Sequence, residues 1–174
     1  MALLLAWFMA AVFLIVEAAR LLFVLNTAQF VTTRAARAAA MTDWRSAGGI
    51  ASLKRTALFR TTDGGLVLMP ELNTNTLKIE YLSISQAGVL APATPMPTCP
   101  QQNLLNCATD PYGASCIRAV RVRICVAGSD PCKALPFTTM TGLLPVPASL
   151  VVPISTAIVK SESLGLGAGE IACP

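Results

Sequence analysis

The sequence contains no histidine. Histidine is the side chain most often used as a general base and a common metal ligand near neutral pH, so its absence argues against the commonest hydrolytic and zinc-binding sites. The nine acidic residues are scattered, and no two of them form a recognisable catalytic or calcium-binding pattern. We therefore expect neither an enzyme nor a metal protein, and no cofactor.

Charged residues are scarce as well. They make up 13% of the 174 residues, against about 25% in ordinary soluble domains. The net charge of +4 is too small to indicate a polyanion partner. Residues 118–123 are the most basic stretch, and their alternation with apolar residues predicts the outer face of a sheet, paired across strands with Glu80 or Glu162. We expect no nucleic-acid partner.

Polar side chains are missing altogether from residues 1–16, and Arg20 alone interrupts residues 18–25. At about 1.5 Å rise per residue, a helix over residues 1–25 is about 37 Å long, enough to cross a hydrocarbon core of about 30 Å. A cleavable signal would have a basic start, a shorter apolar core and a small-residue exit. Residues 1–25 are therefore interpreted as a transmembrane or filament-core helix.

Glu17 and Arg20 are the ionisable residues of this helix. Their spacing places them on one helix face, where they can pair within the chain. Glu17 begins about 24 Å into the helix, near the outer interface, so both side chains can snorkel toward headgroups. Two interpretations stand. The pair marks the end of the anchor, or it exchanges partners with neighbouring subunits in a helical bundle and sets their register.

Glycine and proline are absent from residues 26–46, which predicts that the helix continues. One side of it carries mostly small and apolar residues: Ala28, Val31, Ala35, Ala38 or Ala39, and Trp44. Gly48 and Gly49 are the predicted stop. Residues 26–47 are thus expected to form an amphipathic stalk helix between the anchor and a head.

Cysteine is absent before residue 99, and six cysteines follow: Cys99, Cys107, Cys116, Cys125, Cys132 and Cys173. Their spacings contain no C-x2-C pair, and there is no histidine to complete a zinc site. Buried free thiols in a reducing cytosol remain an alternative. The even count and clustering favour disulfides, which indicate the periplasm or the cell exterior.

Six cysteines allow 15 pairings, so the sequence does not fix the connectivity. The segment "CVAGSDPC" favours a Cys125–Cys132 bond across a turn, and "CPQQNLLNC" favours a Cys99–Cys107 bond. Cys116 with Cys173 would then tie the C-terminus to the sheet.

Residues 48–174 are predicted to form a periplasmic or extracellular β-rich head. Residues 77–84 and 117–126 alternate apolar and polar residues as half-buried strands do. Residues 154–163 are a third expected strand and residues 65–69 a weak fourth. The proline-rich "APATPMPTCP" is excluded from the central sheet, and "LGLGAGE" is expected to be a flexible loop. The predicted fold class is α+β: a long N-terminal helix followed by a small disulfide-bonded antiparallel sheet.

The positive charges conflict with this placement. Arg20, Arg34, Arg37 and Arg45 lie within or after the anchor, and the positive-inside bias would put the head in the cytoplasm. The cysteines indicate the opposite side. The conflict disappears if a short basic leader once preceded Met1 and was removed.

The chain resembles the TadE-like family, pseudopilins or minor pilins of the tight-adherence (Tad, type IVc) pilus system. The resemblance lies in an apolar run, followed by "EAARLLFVLNTAQFVTTRAARAAA" and then by a small cysteine-bearing sheet. The resemblance covers residues 1 to about 45 and, loosely, "RVRICV" and "TAIVKSESLG" in the head. The matching positions, which the resemblance implies contact neighbouring subunits, are Glu17, Arg20, Asn26, Arg34 and Arg37.

The resemblance implies a prepilin cut by a prepilin peptidase, held in the bacterial inner membrane with its head in the periplasm, and later part of a cell-surface pilus. Its partners would be other pilin or pseudopilin subunits, contacted through the N-terminal helix. Leu5 stands where many pilins of the wider superfamily carry a glutamate, which suits a tip or priming subunit, with adhesion as a further role. The alternative is a permanently anchored periplasmic or surface binding module that never enters a filament.

Overall fold

The computed structural model describes residues 2–139 and 150–167. The helices are α1 (Ala2–Ala39), α2 (Ala47–Ala57) and α3 (Pro100–Thr109). The strands are β1 (Gly65–Leu66), β2 (Met69–Asn73), β3 (Leu77–Ile84), β4 (Leu90–Pro92), β5 (Ala119–Ile124), β6 (Leu135–Pro136), β7 (Val151–Val152) and β8 (Thr156–Lys160). The α+β arrangement of a long apolar helix followed by small antiparallel sheets is confirmed.

Helix α1 is continuous from the apolar run into the head, about 57 Å at the standard rise. It ends at Ala39, so the predicted stop at Gly48 and Gly49 is wrong. The physical reason is Ser46, whose side chain accepts a hydrogen bond from the Gly49 N–H at 3.1 Å and caps a second helix. Both glycines lie in the first turn of α2.

The predicted stalk, residues 26–47, is not a free stalk, because its inner side is the core of the head. Ala28, Val31, Ala35, Ala36 and Ala39 are no more than 2% exposed. Alanine side chains are short, so the sheet can approach the helix closely along this face. The sequence correctly predicted Ala28, Val31, Ala35 and Ala39 on one side of the helix. It did not predict the burial of Ala36 or the surface that covers these residues.

The main sheet has the order β4-β3-β5-β8 with antiparallel neighbours. Strands β3 and β5 pair from Leu77 with Ile124 to Leu82 with Ala119. Val120 and Val122 of β5 are fully buried toward α1. The three main predicted strands are confirmed, whereas residues 65–69 divide between β1 and β2, with a turn at Val67 and Leu68.

The outer face of the sheet carries an ion cluster centred on Glu80. Its carboxylate accepts hydrogen bonds from Arg121 Nε and Arg123 Nη2, each at 2.7 Å. The predicted cross-strand pairing is thus confirmed for Glu80, while Glu162 is exposed. Burial would raise the pKa of Glu80, but the two guanidinium hydrogen bonds and charges outweigh it and hold that pKa below its usual 4.5.

The disulfides differ in part from the prediction. Cys125 bonds Cys132 as expected. Cys107 bonds Cys116, so the predicted Cys99–Cys107 and Cys116–Cys173 pairs are wrong. Residues 100–109 form α3, which separates Cys99 from Cys107 by about 12 Å of helix, too far for a disulfide. Cys99 is bonded as well, and Cys173 lies outside the described residues.

Helix α3 docks on the sheet through a buried amide. Asn103 Nδ2 donates to Ile117 O at 3.3 Å, and Ile117 N donates to Asn103 Oδ1 at 2.7 Å. The Cys107–Cys116 bond closes the same connection. Pro100 at the helix start was the sequence signal for α3.

The segment after β8 returns to the end of α1. Glu162 N and Leu164 N both donate to Ala40 O, at 3.1 and 3.0 Å, and Leu164 is buried. These bonds satisfy a carbonyl that the helix end would leave without a partner. The segment 164–170 was expected to be a flexible loop, but it begins with Leu164 bound to the end of α1. Residues 168–170 lie outside the described residues.

Replacing Glu80 by glutamine should lower the free energy of unfolding by about 1.5–3 kcal/mol at pH 7, the range typical of hydrogen bonds to charged groups. Because the folded pKa lies below the unfolded one, the stabilisation is present above pH 4.5 and is lost as the pH falls through the folded pKa. The difference between Glu80→Gln and wild type should therefore shrink in acid. Thermal unfolding of the full chain in detergent micelles measures it, with Glu162→Gln as the exposed control.

Ala35→Leu should overpack the helix–sheet contact and lower the free energy of unfolding by about 1–3 kcal/mol. Ala19→Leu on the exposed side of the same helix should leave it nearly unchanged. Equal melting temperatures for the two variants in micelles would contradict the packing described for Ala35.

Candidate functional site

The projecting half of α1 exposes a continuous apolar surface. Its large side chains are between 37% and 78% exposed: Leu3, Leu4, Leu5, Trp7, Phe8, Met9, Val12, Leu14, Ile15 and Val16. Soluble proteins rarely expose apolar surface on this scale, which marks contact with lipid or with another protein. Among the described helices, α1 is long and apolar enough to span a membrane.

A buried ion pair interrupts the exposed surface, which continues beyond it at Leu22 and Phe23. Arg20 Nη1 lies 3.2 Å from Glu17 Oε2, and the two residues are only 9% and 8% exposed. The predicted pairing within the chain is present. We call this pair and the head residues that contact it the junction: Glu17, Arg20, Leu68, Phe137 and Thr138.

The head supplies the remaining partners of Arg20. Its Nε donates to Leu68 O at 2.9 Å, its Nη1 donates to Thr138 O at 2.6 Å, and the guanidinium lies 4.9 Å from the centre of the Phe137 ring. The expected snorkelling toward headgroups is therefore wrong for Arg20. Two head loops reach down to this level and offer carbonyls, which bind a guanidinium in fixed positions.

The loop that carries Thr138 is itself fastened to the head. The Thr138 hydroxyl donates to a carboxylate oxygen of Glu71 on β2. Leu135 and Pro136 pair with Val152 and Val151 in the β6–β7 ribbon. The junction thus connects α1 to two separate parts of the head.

The other residues that match the family pattern lie further along α1. Asn26 and Arg37 are exposed. Arg34 lies over the ring of Phe59 at 4.7 Å, and Phe59 stacks on Phe30 with ring centres 5.7 Å apart. The structure therefore brings Glu17 and Arg20 together but leaves the other three as separate surface positions.

Phe59 is a surface residue that the sequence did not point to. Its φ of +57° is a left-handed conformation that phenylalanine rarely adopts, and its side chain is 59% exposed. Arg60 N donates to Arg55 O at 2.9 Å as α2 ends there. With the bond from Phe59 N to Thr56 O at 3.1 Å, this forms a Schellman motif, whose left-handed position is usually glycine. Phenylalanine at this position gave no sequence signal for the turn.

The head also has a cleft of about 510 Å³ between α2 and the sheet, with Trp44, Lys54, Lys78 and Tyr81 in its lining. Burial lowers the pKa of Lys54. Burial, aided by the charge of Asp43, raises the pKa of Tyr81 to about 12, so this side chain stays protonated. The cleft can take a small acidic group.

Within residues 2–139 and 150–167, no group of three or more cysteine or acidic residues is placed to hold a metal ion. What the exposed helix and the junction can do is bind, orient and assemble.

No family model matches the chain, and no curated protein or solved structure matches it either. The likeness to TadE-like pilins thus remains a resemblance of residues, and the function is inferred from the helix, the junction and the head.

Arg20→Ala should lower the free energy of unfolding by about 3–5 kcal/mol, because it leaves the Glu17 carboxylate buried without its arginine and frees two carbonyls. Amide hydrogen exchange should rise in residues 66–69. Arg37→Ala, an exposed change on the same helix, is the control for both measurements in detergent micelles. If the two variants melt at the same temperature, the junction contributes nothing to holding the head on α1.

Proposed function

We propose that the chain is a structural subunit, a minor pilin or pseudopilin of a Tad-like type IV pilus, which primes or caps the filament. The observation that carries the proposal is the division of α1 into a projecting apolar half and a half packed in the head. A subunit that moves from a bilayer into a helical bundle needs such a helix, because lipid and protein can alternately cover its apolar surface.

The small residues of the projecting half suit a packed bundle. Leu3, Ala6, Trp7 and Ala10 form a groove of about 250 Å³ on one side of α1. Alanines four residues apart allow a neighbouring helix to approach closely, which provides packing in the absence of charge. A groove of this kind can receive a side chain of the next subunit.

The junction gives the subunit a fixed geometry. Because Arg20 binds the head at two loops, the height of the head along α1 is set within the chain. The stagger between neighbouring helices would then determine the spacing of the heads along a filament. Exchange of Glu17 and Arg20 between neighbouring subunits stays a prediction.

The head is suited to conditions outside the cytoplasm. Cys107–Cys116 and Cys125–Cys132 each close a short loop, which stabilises the folded chain by restricting the unfolded one. Disulfides persist in oxidising compartments, which supports placement of the head in the periplasm and on the cell surface.

The second candidate function is a permanently anchored binding module. The cleft lined by Lys54 favours it, since an ammonium group can bind an acidic ligand. Lys78 in the same cleft is paired with Glu80 and Asp130. The two functions coincide if the subunit caps a pilus and adheres through its head.

The test compares Ala10→Leu with Leu14→Met in the producing bacterium. Ala10→Leu leaves the lipid-facing surface apolar but blocks close helix approach, so we expect normal amounts in the membrane and about a tenfold loss from sheared filaments, equivalent to about 1.4 kcal/mol. Leu14→Met conserves volume and should behave as wild type. The mass of the N-terminal peptide in both fractions reports leader removal.

Wild-type protein confined to membranes, with an unprocessed N-terminus, would contradict the pilin proposal and favour the anchored binding module. Equal entry of Ala10→Leu and wild type into filaments would show instead that this side of α1 is not packed against neighbouring helices.

A further inference from the structure

The turn between β1 and β2 presents apolar side chains beside the junction. Val67 is 87% exposed and Leu68 is 39% exposed, although turns at the surface usually carry polar residues. Both residues lie at the lower end of the head, on the side from which α1 projects. This pair, Val67 and Leu68, is the hairpin tip.

The junction fixes the height of the hairpin tip on α1. Arg20 Nε donates to Leu68 O at 2.9 Å, so the tip lies at the level of Arg20. Residues 3–20 cover about 27 Å of helix, close to the hydrocarbon thickness of about 30 Å. If this stretch spans a bilayer, the hairpin tip lies where hydrocarbon meets headgroups.

The cleft behind the tip combines an apolar lining with one cation, which suits part of a phospholipid at the membrane interface. It measures about 300 Å³ and is lined by Phe23, Leu58, Phe59, Arg60, Leu66, Val67 and Leu68. Arg60 is its one charged residue and lies beside the apolar ones, as a phosphate lies beside acyl chains. A second copy of the exposed helix fits less well, because residues 3–16 carry no charge to pair with Arg60.

We propose that Val67 and Leu68 insert into the membrane interface as a second lipid contact beside α1. Two contacts at different positions on the membrane surface fix the tilt of the head, which a single helix leaves free to vary. The inference rests on the membrane span of the proposed function and does not depend on filament assembly.

The test is quenching of tryptophan fluorescence by brominated phospholipids in proteoliposomes of the full chain. The reporters are Val67→Trp and, as a matched control, Val89→Trp, each with Trp7→Phe and Trp44→Phe. Val89 is 62% exposed but follows β3 at the far end of the sheet, where Glu162 N bonds Ala40 O. A third variant, Trp44→Phe, keeps Trp7 and reports the span.

We expect the Val67→Trp reporter to lose most of its fluorescence, more with bromines near the headgroup than deep in the chain. Trp7 should also be quenched and the Val89→Trp reporter should not. Wild-type protein provides a measurement without substitution, since a photoactivatable phospholipid should label residues 66–68 in addition to α1.

Quenching of Trp7 without quenching or labelling at the hairpin tip would overturn the lipid contact and leave the span intact. If Trp7 is unquenched as well, the span fails and the lipid contact fails with it. Emission of the Val67→Trp reporter that shifts to the blue only as protein density rises, without quenching, would identify a second protein copy as the occupant and overturn the proposal.

Discussion

The alanine face of α1 is the surface on which the rest of the head is built. Ala35, Ala36 and Ala39 are fully buried beneath the sheet, and a larger side chain at any of them would displace strands. The same helix is apolar and mostly exposed over residues 3–16, and it is long enough to span a membrane. One element therefore meets two surroundings, and the change between them has to occur at a defined residue.

Arg20 is that residue. A guanidinium is costly in hydrocarbon, yet here its donors are used by Glu17, Leu68 and Thr138 within the same chain. The charge is thus satisfied within the chain and fastens the head at this point, while Leu22 and Phe23 stay exposed just beyond it. Because all of these partners belong to the same chain, the proposed move from lipid into a protein bundle would leave the junction intact.

The sequence predicted those features that depend on local pattern. Alternation located β3 and β5 with their inner and outer faces, and the missing polar residues located the projecting helix. The sequence did not predict the features that depend on contacts between residues far apart in the chain. Nothing near Arg20 in the chain indicates that Leu68 lies beside it. The disulfide of Cys107 depends on the position of α3, and the proline-rich sequence around α3 did not predict a helix.

The incorrect prediction of a free stalk bears directly on the function. The amphipathic pattern of residues 26–47 predicts a stalk because the sequence does not show what covers its apolar side. In the fold, the part within α1 packs into the core of the head. In the described structure there is no hinge between α1 and the head, because α1 is unbroken. Arg20 binds the head at the lower end of the packed half of α1. At the upper end, the Ala40 carbonyl accepts hydrogen bonds from Glu162 N and Leu164 N. The head is therefore held to α1 at both ends of the packed helix segment. Its orientation follows that of α1 and is set by whatever covers the projecting half and the hairpin tip.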